Sequence, residues 1–267
     1  MFNYKGKVAL VTGASSGIGK AYAEELASKG CHVILTARSK EKLDILAEKL
    51  ASTYKIQAFS IMSDLSRVDS VEQLVSEIKD LGLKVDILIN NAGFSTFGPF
   101  EEISYEREYE EITVNITSLV TLTHHLLPYM QQQKEGIIVN IASIAAFQPT
   151  PYGAVYSASK AFVLSFSEAL FAENRKLGVR VLASCPGPTK TDFFNVAGIE
   201  HLPGGAKTPQ EVVKTAFRGI EKDKSYVTIG LRNYLMCNMG RLLTRKFVAV
   251  ATERFIRSST PTIADAR

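Results

Sequence analysis

Tyr156 and Lys160 stand four residues apart in Tyr156-Ser157-Ala158-Ser159-Lys160, inside Gly153–Leu177, a stretch that reads as a long helix. A helical turn takes about 3.6 residues, so the phenol and the ammonium project from one face, one above the other. A neighbouring cation favours phenolate and draws a tyrosine pKa down from its ordinary value of about 10. A phenol tuned in that way gives or takes a proton near neutral pH. Taken alone, the pair is also what an amphipathic helix carries on its surface, so its meaning depends on the elements around it.

The first of those elements is Lys7–Thr12, a short Val-rich run that reads as a buried strand. Thr12-Gly13-Ala14-Ser15-Ser16-Gly17-Ile18-Gly19 follows at once, and a helical pattern then runs from Lys20 to Lys29. A strand, a glycine-rich turn and a helix N-terminus together make an anion site, because backbone N–H groups and the helix dipole point at a phosphate. The spacing is GxxxGxG and not the GxGxxG of many dinucleotide folds. Cys31–Thr36 is the next strand and ends at Thr36-Ala37-Arg38-Ser39. An acid at that place accepts from a ribose 2′-hydroxyl and favours NAD. Here there is Arg38, whose guanidinium matches a 2′-phosphate, so NADP(H) is expected over NAD(H).

Lys40–Tyr54 reads as a charged amphipathic helix, and Ile56–Met62 as a strand leading to Asp64-Leu65. Asp64 is placed to accept from an adenine amino group, or else to cap the helix Val68–Leu81. The strand Val85–Ile89 enters Asn90-Asn91-Ala92-Gly93, whose small residues suit backbone lying against a flat ligand. Tyr105–Met130 carries a long helical pattern with Asn115 in its middle, a poor interior residue that must find partners if buried. Gly136–Ile141 is a strand with Ser143 just past its end. Val179–Ser184 is another, closed by Cys185-Pro186-Gly187-Pro188-Thr189, and Tyr226–Ile229 is a last short one. Strands alternating with helices give an α/β, three-layer, doubly wound parallel sheet with helices on both faces. Ligands bind such a sheet beyond the carboxyl ends of its strands, where nearly every residue named above falls.

Composition narrows the partners. A net charge of +4 and no basic run interleaved with aromatics give no case for nucleic acid. Cys31, Cys185 and Cys237 are scattered and odd in number, without metal spacing, which fits a reducing, cytoplasmic setting. His32, His124, His125 and His201 share no ligand spacing and read as structural. Met1–Lys5 has no apolar region of the signal-peptide kind, and no run is long enough to span a bilayer. No Pro/Gly-rich linker divides residues 1–267, so one domain is expected.

With TGASSGIG, NNAG, Asn115, Ser143, YSASK and PGPTKT in this order, the chain resembles a short-chain dehydrogenase/reductase from about Lys7 to Tyr226. The resemblance implies a Rossmann-like fold and hydride transfer between NAD(P)H and a carbonyl or alcohol. It implies Tyr156 as acid/base, Lys160 holding the nicotinamide ribose and lowering the Tyr156 pKa, Ser143 positioning the substrate oxygen, and Asn115 supporting a water-linked proton path. It places Gly13, Ser15, Ser16, Gly17, Ile18 and Gly19 around the pyrophosphate and its ribose. Asp64 and Leu65 would meet the adenine, and Asn91, Ala92 and Gly93 would lie along the ribose. Pro186, Gly187, Thr189 and Thr191 would meet the nicotinamide end. Many NADP-preferring members also carry a basic residue in the glycine loop, where this chain has Ser15 and Ser16, so cofactor choice rests on Arg38. Members are usually homodimers or homotetramers.

Near the reacting end the sequence is apolar: Phe94, Phe97, Phe100, then Ala145, Ala146, Phe147, and Tyr152, Phe193 and Phe194. A hydrophobic ketone, acyl or steroid-like substrate is the expectation, with residues 192–207, where the family places its substrate lid, as a mobile loop. Residues 231–257 hold six basic residues against Glu253, with Leu235, Met239, Leu242 and Val250 near one helical stripe. Such a segment packs on a neighbouring subunit, covers the pocket or, less in keeping with the rest, lies on an anionic membrane. The alternative to an enzyme is a non-catalytic NADP(H)-binding sensor or scaffold on the same fold.

Overall fold

Five residues, Val8–Thr12 (β1), start the sheet, and four of them are buried. In the computed structural model, which describes residues 2–193, 205–240 and 243–259, β1 pairs in parallel with His32–Ala37 (β2) on one side and Ile87–Asn90 (β4) on the other. Ala58–Met62 (β3) continues beyond β2, while Gly136–Ile141 (β5), Val179–Cys185 (β6) and Tyr226–Thr228 (β7) continue beyond β4. The order is β3-β2-β1-β4-β5-β6-β7, every pair parallel. The expected Rossmann-like sheet is present, and its strand order reverses between β1 and β4. At that switch point the outgoing connections diverge and leave a crevice.

Strands buried on both faces need no polar alternation, which is why β4 and β5 read as continuous apolar runs. Successive residues still point to opposite faces. Ala9, Val11, Val33 and Leu35 pack on one side with Leu26 of α1 (Gly17–Ser28), Leu43 and Leu50 of α2 (Lys40–Tyr54). Leu10, Ile34, Leu88 and Ile138 pack on the other with Leu74 and Ile78 of α3 (Ser70–Asp80) and Leu122 of α5 (Ser118–Gln133). Helix α6 (Ala154–Asn174) lies along β6 on that side, and α7 (Pro209–Glu221) joins α1 on the first.

Two expected helices differ in a way that matters. The long pattern Tyr105–Met130 is α4 (Tyr105–Ile112), then a π-turn at Thr113–Thr117, then α5. The wider turn carries Asn115 at its centre, and such bulges commonly accompany functional sites. Helix α1 begins at Gly17 and not at Lys20, so the glycine turn itself supplies the first free N–H groups of the helix. The C-terminal segment forms α8 (Leu231–Met239) and α9 (Arg245–Ser259), with Arg241 and Leu242 outside the described residues. No helix among the described residues is long and apolar enough to cross a membrane.

Candidate active site

A cavity of about 740 Å³ opens beyond the carboxyl ends of the strands. Its floor is the glycine turn. Gly13 and Gly17 have φ of +64° and +55°, a region open to glycine at little cost. A Cβ on Gly13 would stand 2.8 Å from Asn91 Nδ2, and one on Gly17 would stand 3.0 Å from Thr191. The turn therefore packs tightly on the end of β4 and on the segment that follows β6. Asn91 ties these pieces together, donating from Nδ2 to the Thr12 carbonyl at 2.8 Å while Thr12 Oγ1 accepts from the Asn91 and Ala92 amides at 2.9 Å each.

Of the residues expected at the site, Gly13, Ser15, Ser16, Gly17, Ile18, Arg38, Asp64, Leu65 and Asn91–Gly93 line this cavity, as do Ser143, Tyr156, Lys160, Pro186, Gly187, Thr189 and Thr191. Gly19 and Asn115 do not line it. A Cβ on Gly19 would lie 2.3 Å from the Gly13 carbonyl and 2.5 Å from Asn91 Nδ2, so Gly19 lets α1 close on the turn. Gly93 has a similar reason: its Cβ would meet Asn115 Oδ1 at 2.8 Å and Lys160 Nζ at 3.4 Å. Gly93 thus serves a close approach inside the protein as well as lining the cavity.

At one end of the cavity, Tyr156 and Ser143 share the lining, near enough for the Ser143 hydroxyl to favour the phenolate, with the Phe193 ring 5.6 Å from the Tyr156 ring. Ser143 Oγ also accepts from the Ala145 amide at 3.1 Å, capping a short 3₁₀ turn at Ile144–Phe147. Lys160 is almost fully buried and donates to the Ile141 carbonyl at 2.8 Å. Its Nζ lies 5.7 Å from the Tyr156 ring centre. The expectation that this ammonium lowers the phenol pKa is corrected by the structure. Burial pushes Tyr156 up to about 12, and the Ser143 hydroxyl pulls the other way. The same burial brings Lys160 down to about 8. Removing either charge from water costs more than the pair regains at this separation with the ammonium turned to a carbonyl.

Behind this end, Asn115 Nδ2 donates to the Phe94 carbonyl at 3.0 Å and to Ser159 Oγ at 3.1 Å, while its Oδ1 accepts from the Phe94 amide at 3.2 Å. The expectation that a buried Asn in a helix must find partners is met three times over.

At the other end, exposed Arg38 and Lys42 line the cavity together with Ser39, Ser63 and Ser66. Lys42 was legible only as helix charge; one turn past Arg38, it doubles the positive charge beside the glycine turn. Asp64 is held by an Asx turn, accepting from the Ser66 amide at 3.1 Å and the Ser66 hydroxyl at 2.8 Å, and does not cap α3. Between the two ends, Arg107 stacks on Phe94 at 4.1 Å and pairs with Glu110 at 2.8 Å, and both line the cavity. Phe94 is among the apolar residues expected here, whereas Arg107 and Glu110 carry no signal in the sequence beyond ordinary helix charge.

The pool of apolar residues divides. Phe94, Ala145 and Phe193 line the cavity, joined by Ile144 and Val114. Phe147 packs on Tyr226, Phe97 on Tyr152, and Phe100 is exposed. Phe194 lies outside the described residues, as do residues 194–204 of the expected lid. Helices α8 and α9 close on this side: Asn233 abuts Gly187, Tyr152 Oη donates to Glu253 at 3.1 Å, and Arg257 donates to Tyr152 Oη at 3.1 Å.

A nicotinamide dinucleotide suits this cleft. Helix amides and a glycine turn form an anion cradle on the floor, two cations flank it, and buried Thr36 Oγ1 on the lining lacks a partner among the described residues. No group of three or more metal-ligating residues occurs among the described residues. The family model described as short chain dehydrogenase matches residues 7–200. The chain belongs to the short-chain dehydrogenase family. The family is one of nicotinamide-dependent oxidoreductases of CH–OH and C=O groups. The 17-beta-hydroxysteroid dehydrogenase type 3 of Mus musculus is 34% identical over 260 residues, 94% of this chain and 81% of that protein. The inactive hydroxysteroid dehydrogenase-like protein 1 of Homo sapiens is 40% identical over 186 residues, 68% of this chain, and the match spans 55% of that protein. Among solved structures, a short-chain dehydrogenase from Sphingobium yanoikuyae in complex with NADPH is 31% identical with a TM-score of 0.80, covering 98% of this chain and 96% of that one.

Proposed function

We propose that this short-chain dehydrogenase is an NADP(H)-dependent reductase of hydrophobic ketones, a class that includes fatty-acyl, steroid-like and aromatic ketones. One observation carries the reading: the Tyr156–Ser143 pair and Lys160 occupy one end of a single cavity whose other end carries Arg38 and Lys42. The type 3 hydroxysteroid relative and the NADPH-bound structural neighbour support it.

NADP(H), when bound, supplies the hydride. The protein's part is charge and position. As hydride reaches a carbonyl carbon, negative charge grows on the oxygen, and Ser143 Oγ and Tyr156 Oη are placed to receive it. Tyr156 gives up its proton to that oxygen. A phenol held near 12 by burial stays protonated through the neutral range and is ready as an acid. Lys160 keeps a positive charge beside the phenolate as it forms, and Asn115 holds the Phe94 backbone against the same helix. Arg38 and Lys42 are the residues for a 2′-phosphate. Phe94, Ile144, Ala145 and Phe193 supply the apolar surface for the substrate.

We read residues 1–267 as one domain, since one sheet gathers all seven strands of the described residues. We also read the chain as a homodimer or homotetramer, supported by exposed Tyr105, Tyr109 and Ile112 on α4 and Phe162 on α6. A monomer mass by light scattering would remove that second reading.

A non-catalytic NADP(H)-binding protein is the second function, favoured by the relative whose name marks it inactive. Ser143, Tyr156 and Lys160 standing together argue against it. The test is NADPH consumption, followed by nicotinamide absorbance, over a panel of bulky aliphatic, steroid and aromatic ketones. Consumption with at least one of them is expected. NADPH binding without consumption of any would establish the second function.

A further inference from the structure

Glu111 is a carboxylate in the wrong place for ordinary structure. Its side chain is 0% exposed, on the helix that leads into the π-turn, four residues before Asn115. An acid so deep in a protein is normally paired or hydrogen-bonded. Glu111 Oε2 accepts from the Thr96 amide at 2.7 Å and from the Thr96 hydroxyl at 2.6 Å. Its Oε1 lies 3.5 Å from Asn115 Nδ2. No cation touches it among the described residues.

The positive charge nearest in function is Lys160, also buried, whose Nζ donates among the described residues only to the Ile141 carbonyl. Asn115 Oδ1 and Lys160 Nζ crowd the same point, the missing Cβ of Gly93. Glu111, Asn115, Gly93 and Lys160 thus form one contiguous line through the interior, with a negative charge at one end and a positive charge at the other. Two buried opposite charges in a medium of low polarisability feel each other beyond contact distance.

We propose that Glu111 is a positioning residue of this active site: its buried carboxylate, clamped by Thr96 and reaching Asn115, supplies the negative charge that keeps the Lys160 ammonium protonated, and it pins the Phe94–Thr96 loop to the π-turn. The proposal rests on the reductase reading for its catalytic consequence, though not for its electrostatics.

The charges around both groups agree with it. Lys160 is faced by Glu111 from α4, Cys185 from β6 and Tyr156 from its own helix. Burial is the largest influence on Lys160, downward, and Glu111 is the leading one that opposes it. Glu111 is itself raised by burial and by Glu108 on its own helix, and is lowered by both Thr96 bonds and by Lys160. The Thr96 clamp therefore favours the charged carboxylate against its burial, and a charged carboxylate favours the ammonium. Glu111 also raises Tyr156, so its loss moves both groups of the acid–base pair the same way, downward.

The test reads Lys160 directly. Lysine labelled with ¹³C at Cε, with the Lys160 resonance assigned by its absence in Lys160→Arg, gives the titration midpoint without any substrate. Glu111→Gln, which keeps the shape and the acceptor for Thr96, is expected to lower that midpoint by about one pH unit. The alkaline limb of kcat/KM for ketone reduction should fall with it. An unchanged midpoint in Glu111→Gln overturns the proposal. Should that variant fail to fold, Glu111→Asp retains the charge. A midpoint near that of the wild type then supports the proposal, and a fall of a full unit overturns it. A wild-type protein that consumes no NADPH would sink the reductase reading alone, since the resonance still decides the role of Glu111.

Discussion

The two ends of the cleft are built on opposite principles. At the Tyr156 end every polar group is buried or half-buried and held: Lys160 by Ile141, Ser143 by the Ala145 amide, and Asn115 by Phe94 and Ser159. At the Arg38 end the two cations are exposed and sit at a strand end and in the first turn of α2. Burial changes acidity and fixes position, as proton transfer requires. Exposure leaves charge screened and movable, which is sufficient to choose between a phosphate and a hydroxyl. One end should therefore fail by orders of magnitude when a single atom is removed, and the other should yield by degrees.

Tyr156→Phe tests the stronger side of that contrast. It keeps the ring beside Phe193 and loses only the hydroxyl. Ketone reduction should drop about 10³-fold, with NADPH affinity and melting temperature unchanged. Wild-type turnover in that variant would break the contrast outright. Arg38→Asp should cost about 10–100-fold in kcat/KM with NADPH and favour NADH. Equal efficiency with both cofactors before and after the change would show that this end makes no choice. The pH profile probes the buried end again. Lys160 is drawn down to about 8, so above that pH its ammonium is lost. The kcat/KM for reduction should then fall about tenfold per pH unit, whereas the Arg38 end, charged throughout, adds no limb. The gentlest change is Lys42→Ala, with a loss of about two- to fivefold in NADPH efficiency that shrinks in high salt.

Much of this was legible residue by residue. The parallel sheet followed from Val-rich runs such as Lys7–Thr12 and Gly136–Ile141, because strands covered on both faces must be apolar throughout. The glycine turn, Arg38 and the Tyr156–Lys160 spacing announced a nucleotide and a proton donor because each depends on neighbours in the chain. The π-turn was not legible, since a sequence pattern carries a periodicity of about 3.6 and one extra residue in a turn barely disturbs it. The phenylalanines could not be sorted either. Phe94 and Phe193 line the cavity while Phe97 and Phe147 pack elsewhere, and only tertiary contacts tell them apart. Lys42 had the look of any helix lysine until α2 was laid beside the glycine turn.

The identity and order of the chemical groups, and the elements that carry them, were determined by the chain alone, because backbone periodicity and turn chemistry act over a few residues. The acidity of those groups was decided by the fold. Reading Lys160 beside Tyr156 predicts an acidified phenol. The packed interior instead raises Tyr156 and lowers Lys160, and it sets Glu111 within a short line of the latter. Desolvation depends on everything within several ångströms of a charge, and those neighbours come from distant parts of the sequence.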